Sequence, residues 1–72
     1  MDKYINIRNL REDRDLKQVQ VAYALHISQR SYSHYENGTR DIPTSILIDL
    51  AKFYDVSIDY LLGETKVKKR YR

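Results

Sequence analysis

Apolar residues recur along the chain at helical spacing, in short segments separated by polar connections. Tyr4, Ile7 and Leu10 fall on one side of a first helix expected near 4–14. Val21, Ala22 and Leu25 predict a second near 18–25. A third is expected from about 29 to 36. Ser28 can cap its first-turn N–H groups, and Asn37-Gly38 tolerates the left-handed backbone of a helix end. Pro43 suits the first turn of a fourth helix, whose inward stripe is Leu47, Leu50, Ala51 and Tyr54. Ser57 caps a fifth, with Ile58, Leu61 and Leu62 inward and Gly63 at its end. Two Gly and one Pro leave few breaks, so helices dominate. The pattern predicts an all-α fold: a compact five-helix domain over 1–63, then a basic, flexible tail over 64–72.

The middle of the chain is the informative part. Only His26-Ile27-Ser28 separates the second and third helices, too short a link for an antiparallel hairpin. A steep crossing results, the helix-turn-helix arrangement. Ala22 is small where the two helices meet, and Ile27 supplies an apolar plug in the turn. Set at about 100° per residue, Gln29, Ser33, Asn37, Arg30 and His34 share one arc of the third helix. Every one of them can donate or accept a hydrogen bond. Ser31, Tyr35, Tyr32 and Glu36 make the opposite arc. Such a polar face suits the major groove, where Gln can bond two atoms of adenine and Arg can fork onto guanine.

Composition narrows the class without naming a partner. There are 13 Lys and Arg against 10 Asp and Glu, and no Cys or Trp. Five of the cations lie in residues 66–72, which carry no anion. The other 65 residues hold eight cations against ten anions, a net of −2, so the basicity belongs to the tail. Without Cys there is no disulfide framework and no Cys-ligated zinc, which is compatible with the cytoplasm. His26 and His34 lack a third ligand nearby, so neither a metal nor another cofactor is expected. No apolar run approaches a membrane span, and no Ser-His-Asp order, phosphate loop or Gly-rich dinucleotide turn is present. A chain of 72 residues buries a thin core, so binding is expected and catalysis is not. Six of the seven tyrosines fall within the expected helices, several of them on inward stripes, and are assigned to packing rather than to base stacking.

Across about residues 4–63 the chain resembles the lambda-repressor-like Cro/CI (XRE) family of helix-turn-helix transcriptional regulators. The match is carried by Leu10-Arg11, Leu16, Gln18, Ala22, Leu25, Ile27 and Ser28. It continues through Tyr35-Glu36-Asn37-Gly38, Arg40-Asp41-Ile42-Pro43, Leu50-Ala51 and Val56 to Gly63. The resemblance implies that Gln29, Arg30, Ser33 and His34 reach base edges. It implies that Gln18, Ser28, Asn37, Thr39 and Arg40 hold the DNA backbone, with Gln18 also bracing the third helix. It further implies that Arg11 and Glu36 form a structural ion pair. Where the family often has Gly just past a helix end, this chain has Asp15, His26 and Asp55, residues that tolerate positive φ. Lys17 stands where a Ser, Thr or Asn cap is usual, and Tyr32 where the core is usually aliphatic.

The function expected is sequence-specific binding of double-stranded DNA by a transcriptional regulator, a repressor reading the major groove with the third helix. One helix spans few base pairs, so a homodimer on a near-palindromic operator is expected. Val56, Ile58, Tyr60 and Leu61 are candidates for its interface, each equally readable as core. The alternative is an antitoxin, or a protein-interaction adaptor on the same fold, with a toxin or other protein as partner. No membrane partner is expected.

Overall fold

Five helices account for most of residues 4–68, the part of the chain that the computed structural model describes. They are α1 (Ile5–Asp13), α2 (Gln18–Ala24), α3 (Gln29–Asn37), α4 (Thr44–Tyr54) and α5 (Ile58–Leu61). Each lies within a residue or two of its expected span. Among the described residues there is no strand, and no helix is long and apolar enough to cross a membrane.

The start and stop of α3 follow from its flanking residues. Ser28 Oγ accepts from the Ser31 backbone N–H at 3.0 Å. At the far end Gly38 takes φ 77°, and its N–H and that of Thr39 return to the Tyr35 and His34 carbonyls. Ser57 caps α5 in the same way, accepting from Tyr60 N–H at 3.0 Å. Asp15, His26 and Asp55 have φ of 56°, 59° and 55°, the left-handed backbone expected of them. Lys17 has no acceptor to offer the first turn of α2. Instead Gln20 Oε1 reaches back to the Lys17 N–H at 2.7 Å, half of a capping box. Pro43 sits one position earlier than expected, as the extended residue before α4.

The inward stripes of the helices meet in one core. Tyr4, Ile7, Leu10, Val21, Ala22, Leu25, Tyr32, Ile42, Leu50, Ala51, Tyr54, Val56 and Leu61 are buried in it. Leu16, Ile27, Tyr35, Ile46, Leu47, Ile58 and Tyr60 pack around its edge. Two expectations are corrected here. Val56 and Leu61, proposed for a dimer interface, are only 3% and 0% exposed, because the short α5 closes the base of the core. They hold the domain together and offer nothing to a second copy. Leu62, expected inward, is exposed.

The tail also departs from expectation over its first half. Residues 64–68 turn back against α5, where the Ser57 N–H donates to the Lys68 carbonyl at 2.8 Å. Ser57 Oγ reaches the Val67 carbonyl at 3.4 Å, and the Lys68 ammonium lies 5.6 Å from the centre of the Tyr60 ring. Residues 69–72 lie outside the described part.

Candidate nucleic-acid interface

The inner edge of α3 is pinned by a buried carboxylate. Glu36 is 1% exposed. Arg11 of α1 meets it in a fork, with Nε to Oε2 at 2.9 Å and Nη2 to Oε1 at 2.8 Å. Arg11 Nη1 also donates to the Leu16 carbonyl at 2.8 Å, so the guanidinium ties α1, its following loop and α3 together. Gln18 Nε2 donates to Glu36 Oε1 at 3.2 Å, and Arg8 Nε lies 3.6 Å from the same oxygen. Burial pushes the Glu36 carboxyl upward. Hydrogen bonding from Arg11, with the Tyr32 hydroxyl and Gln18 amide nearby, outweighs this and leaves it below the ordinary glutamate range. The expected ion pair is therefore present, and Gln18 braces α3 through it.

Beside that pair lie two aromatic hydroxyls without a well-directed hydrogen bond among the described residues, those of Tyr32 and Tyr54. Burial raises the Tyr32 phenol far above its ordinary range and pushes Tyr54 up to about 12. Tyr54 is held by its ring instead. Arg14 sits 5.0 Å from the ring centre and donates to the Tyr54 carbonyl at 3.3 Å. Tyr32 thus fills the core as an aliphatic residue would, with its hydroxyl turned toward the Glu36 carboxylate.

The outer edge of α3 carries the expected row. Gln29 and Arg30 are exposed, and neither makes a hydrogen bond through its side chain among the described residues. Ser33 and His34 follow on the same face, each half-buried. Thr39 Oγ1 donates to the His34 carbonyl at 3.2 Å and lies 2.9 Å from His34 Nδ1. A hydroxyl has one proton, so with that proton on the carbonyl Thr39 accepts from Nδ1–H. With Nδ1 protonated, Nε2 of the neutral His34 ring is a lone-pair acceptor.

Some of the residues expected on the DNA backbone also serve α3 itself. The Thr39 hydroxyl proton and backbone N–H both go to the His34 carbonyl. Ser28 Oγ caps α3 and donates to Ser31 Oγ at 3.1 Å. Both hydroxyls take part in closing the ends of α3, and both residues remain exposed. Arg40 is exposed beyond the helix end. Asn37 is exposed as well, but its amide is engaged on both sides, accepting from Arg8 Nη2 at 3.1 Å and donating to Ser33 Oγ at 3.3 Å.

Arg8 is the residue that sequence reasoning missed. It lies three positions before Arg11 and so shares a face of α1 with it. That spacing was the available signal. Among the described residues there is no group of His, Asp and Glu arranged to hold a metal ion.

The helix-turn-helix family model matches residues 7–61. The chain belongs to the XRE-type helix-turn-helix family. It is 41% identical over 59 residues to the HTH-type transcriptional regulator YobD of Bacillus subtilis, covering 82% of this chain and 53% of that protein. It is 37% identical over 62 residues to the antitoxin PezA of Streptococcus pneumoniae, covering 86% and 39%. The crystal structure of a transcriptional regulator from Listeria innocua superposes with a TM-score of 0.81 at 29% identity, covering 90% of this chain and 61% of that one. The helix-turn-helix domain thus spans about half or less of the two curated relatives.

Proposed function

We propose that this chain is a sequence-specific regulator of transcription that lays α3 in the major groove of double-stranded DNA. The observation that carries the reading is the row Gln29, Arg30, Ser33 and His34, on the outside of a helix locked from behind by Arg11 and Glu36. A rigid helix with an open polar edge can present donors and acceptors to base edges without reordering. Gln18, Asn37 and Arg40 flank that row and are suited to set its register on the sugar-phosphate chain. The likeness to a Bacillus subtilis transcriptional regulator supports the same reading. The regulator acts in the cytoplasm as a repressor, excluding polymerase from the site it occupies.

Two copies on a near-palindromic operator would set their α3 helices about 34 Å apart. Ile58 and Tyr60 remain at the edge of the core and are available for that contact. Selection from a pool of random duplexes tests the reading. The expected result is an enriched site made of two inverted halves. Failure to enrich any sequence defeats the proposal. The antitoxin relative favours a second reading, in which the same fold serves a protein complex instead of DNA. Duplex selection separates the two, since a domain that only binds protein enriches nothing.

A further inference from the structure

We propose that Arg8 is a positioning residue that makes Ser33 a hydrogen-bond donor toward the base edge, so that this one position selects bases by polarity. The inference rests on α3 reading the major groove. A guanidinium has donors and no acceptor, so the Asn37 atom facing Arg8 at 3.1 Å is Oδ1. That orients the whole amide and turns Nδ2 toward Ser33 Oγ at 3.3 Å. Ser33 oxygen accepts there, and its single proton points elsewhere. That proton is in no hydrogen bond among the described residues, and Ser33 lies on the open row of α3.

A hydroxyl free to rotate offers either polarity and distinguishes bases poorly. One whose oxygen already accepts from an amide keeps its proton and a single lone pair, and is biased toward donating. Purine N7, guanine O6 and thymine O4 accept such a donor, while the amino groups of cytosine and adenine do not. The relay starts from fixed ground. Arg8 lies 3.6 Å from Glu36, whose carboxylate is forked by Arg11 in the interior. Arg8, Asn37 and Ser33 therefore transmit the geometry of the buried pair to an atom on the reading edge.

The test uses the full chain and the duplex that it selects from a random pool. Ser33→Ala identifies the base pair read by the hydroxyl, through a loss of roughly threefold to tenfold in preference there. Arg8→Leu is expected to lose the same preference at the same base pair, and the double variant to lose no more than either. Arg8→Lys, which keeps a donor for Asn37, is expected to retain most of it. Preference is a ratio of two affinities measured on one preparation, so partial unfolding of a variant cancels. Asn37→Asp supplies a second arm. Aspartate accepts from Arg8 but cannot donate to Ser33, so Ser33 turns its proton inward and shows lone pairs to the DNA. Binding then weakens on every sequence, while preference at that base pair shifts toward cytosine or adenine amino groups. Full preference in Arg8→Leu, or an unshifted one in Asn37→Asp, overturns the relay and leaves groove reading intact. A parent that enriches no duplex overturns both.

Discussion

Single side chains decide most of the energetics in so small a domain. Glu36 is the clearest case, since its carboxylate is buried and every strong partner it has is a cation or an amide. Replacing it with Gln leaves Arg11 without its counter-charge, and a loss of about 3–5 kcal/mol is expected in urea unfolding. Its carboxyl titrates lower in the folded state than in the unfolded chain. The stabilisation is therefore complete above the unfolded value, about 4.3, and is lost as pH falls below it. Melting temperature should drop below about pH 4 in the parent. It should drop much less in Glu36→Gln. Tyr54 is the opposite case, a buried hydroxyl without a well-directed partner. Tyr54→Phe keeps the ring under Arg14 and removes that hydroxyl, so stability is expected to stay level or rise by up to about 1 kcal/mol. A loss of that size, measured by thermal melting, would instead reveal a bonded hydroxyl.

At the level of elements, α3 divides its work between two edges, and the divisions are separable by mutation. Gln29 and Arg30 are exposed and make no hydrogen bond or ion pair through their side chains among the described residues, so changing either to Ala should leave the melting temperature within a degree or two. Each change is expected to relax base preference at one position by about 1–3 kcal/mol while the salt dependence barely moves. Binding curves on selected and mismatched duplexes at two salt concentrations check both parts. The ends of α3 were legible in advance, because a Ser cap and an Asn-Gly stop act through local backbone geometry. The left-handed turns at Asp15, His26 and Asp55 were legible for the same reason. The role of Thr39 was not. Its hydroxyl also closes the helix end, and five residues of separation gave no sign of the contact with His34.

Over the whole molecule, the division between domain and tail moves. Lys68 carbonyl accepts from Ser57 N–H, so the domain extends at least that far. Deleting residues 69–72 removes three cations and leaves that bond in place. If they meet phosphates, the slope of log affinity against log salt should shallow by up to about 2.7, with stability unchanged. Deleting 66–72 should in addition lower stability by about 1 kcal/mol, because the Ser57 N–H loses its acceptor. Titrations at several salt concentrations, paired with melts, distinguish the two deletions.

From the order of its residues alone, this protein's five helices, their caps, the outward row on the third and the Arg11–Glu36 pair could be read. Those features depend on local periodicity, on turn chemistry and on one family-wide pattern, all of which are written along the chain. Only the tertiary structure decided that Val56 and Leu61 face inward, that Leu62 does not, and that residues 64–68 return to α5. It alone brought Arg8 to Asn37 and Asn37 to Ser33. Periodicity tells which side of a helix is apolar, whereas the hydrogen bonds a polar side chain makes depend on which other helix arrives beside it. In this chain that is settled by how α1 packs across α3.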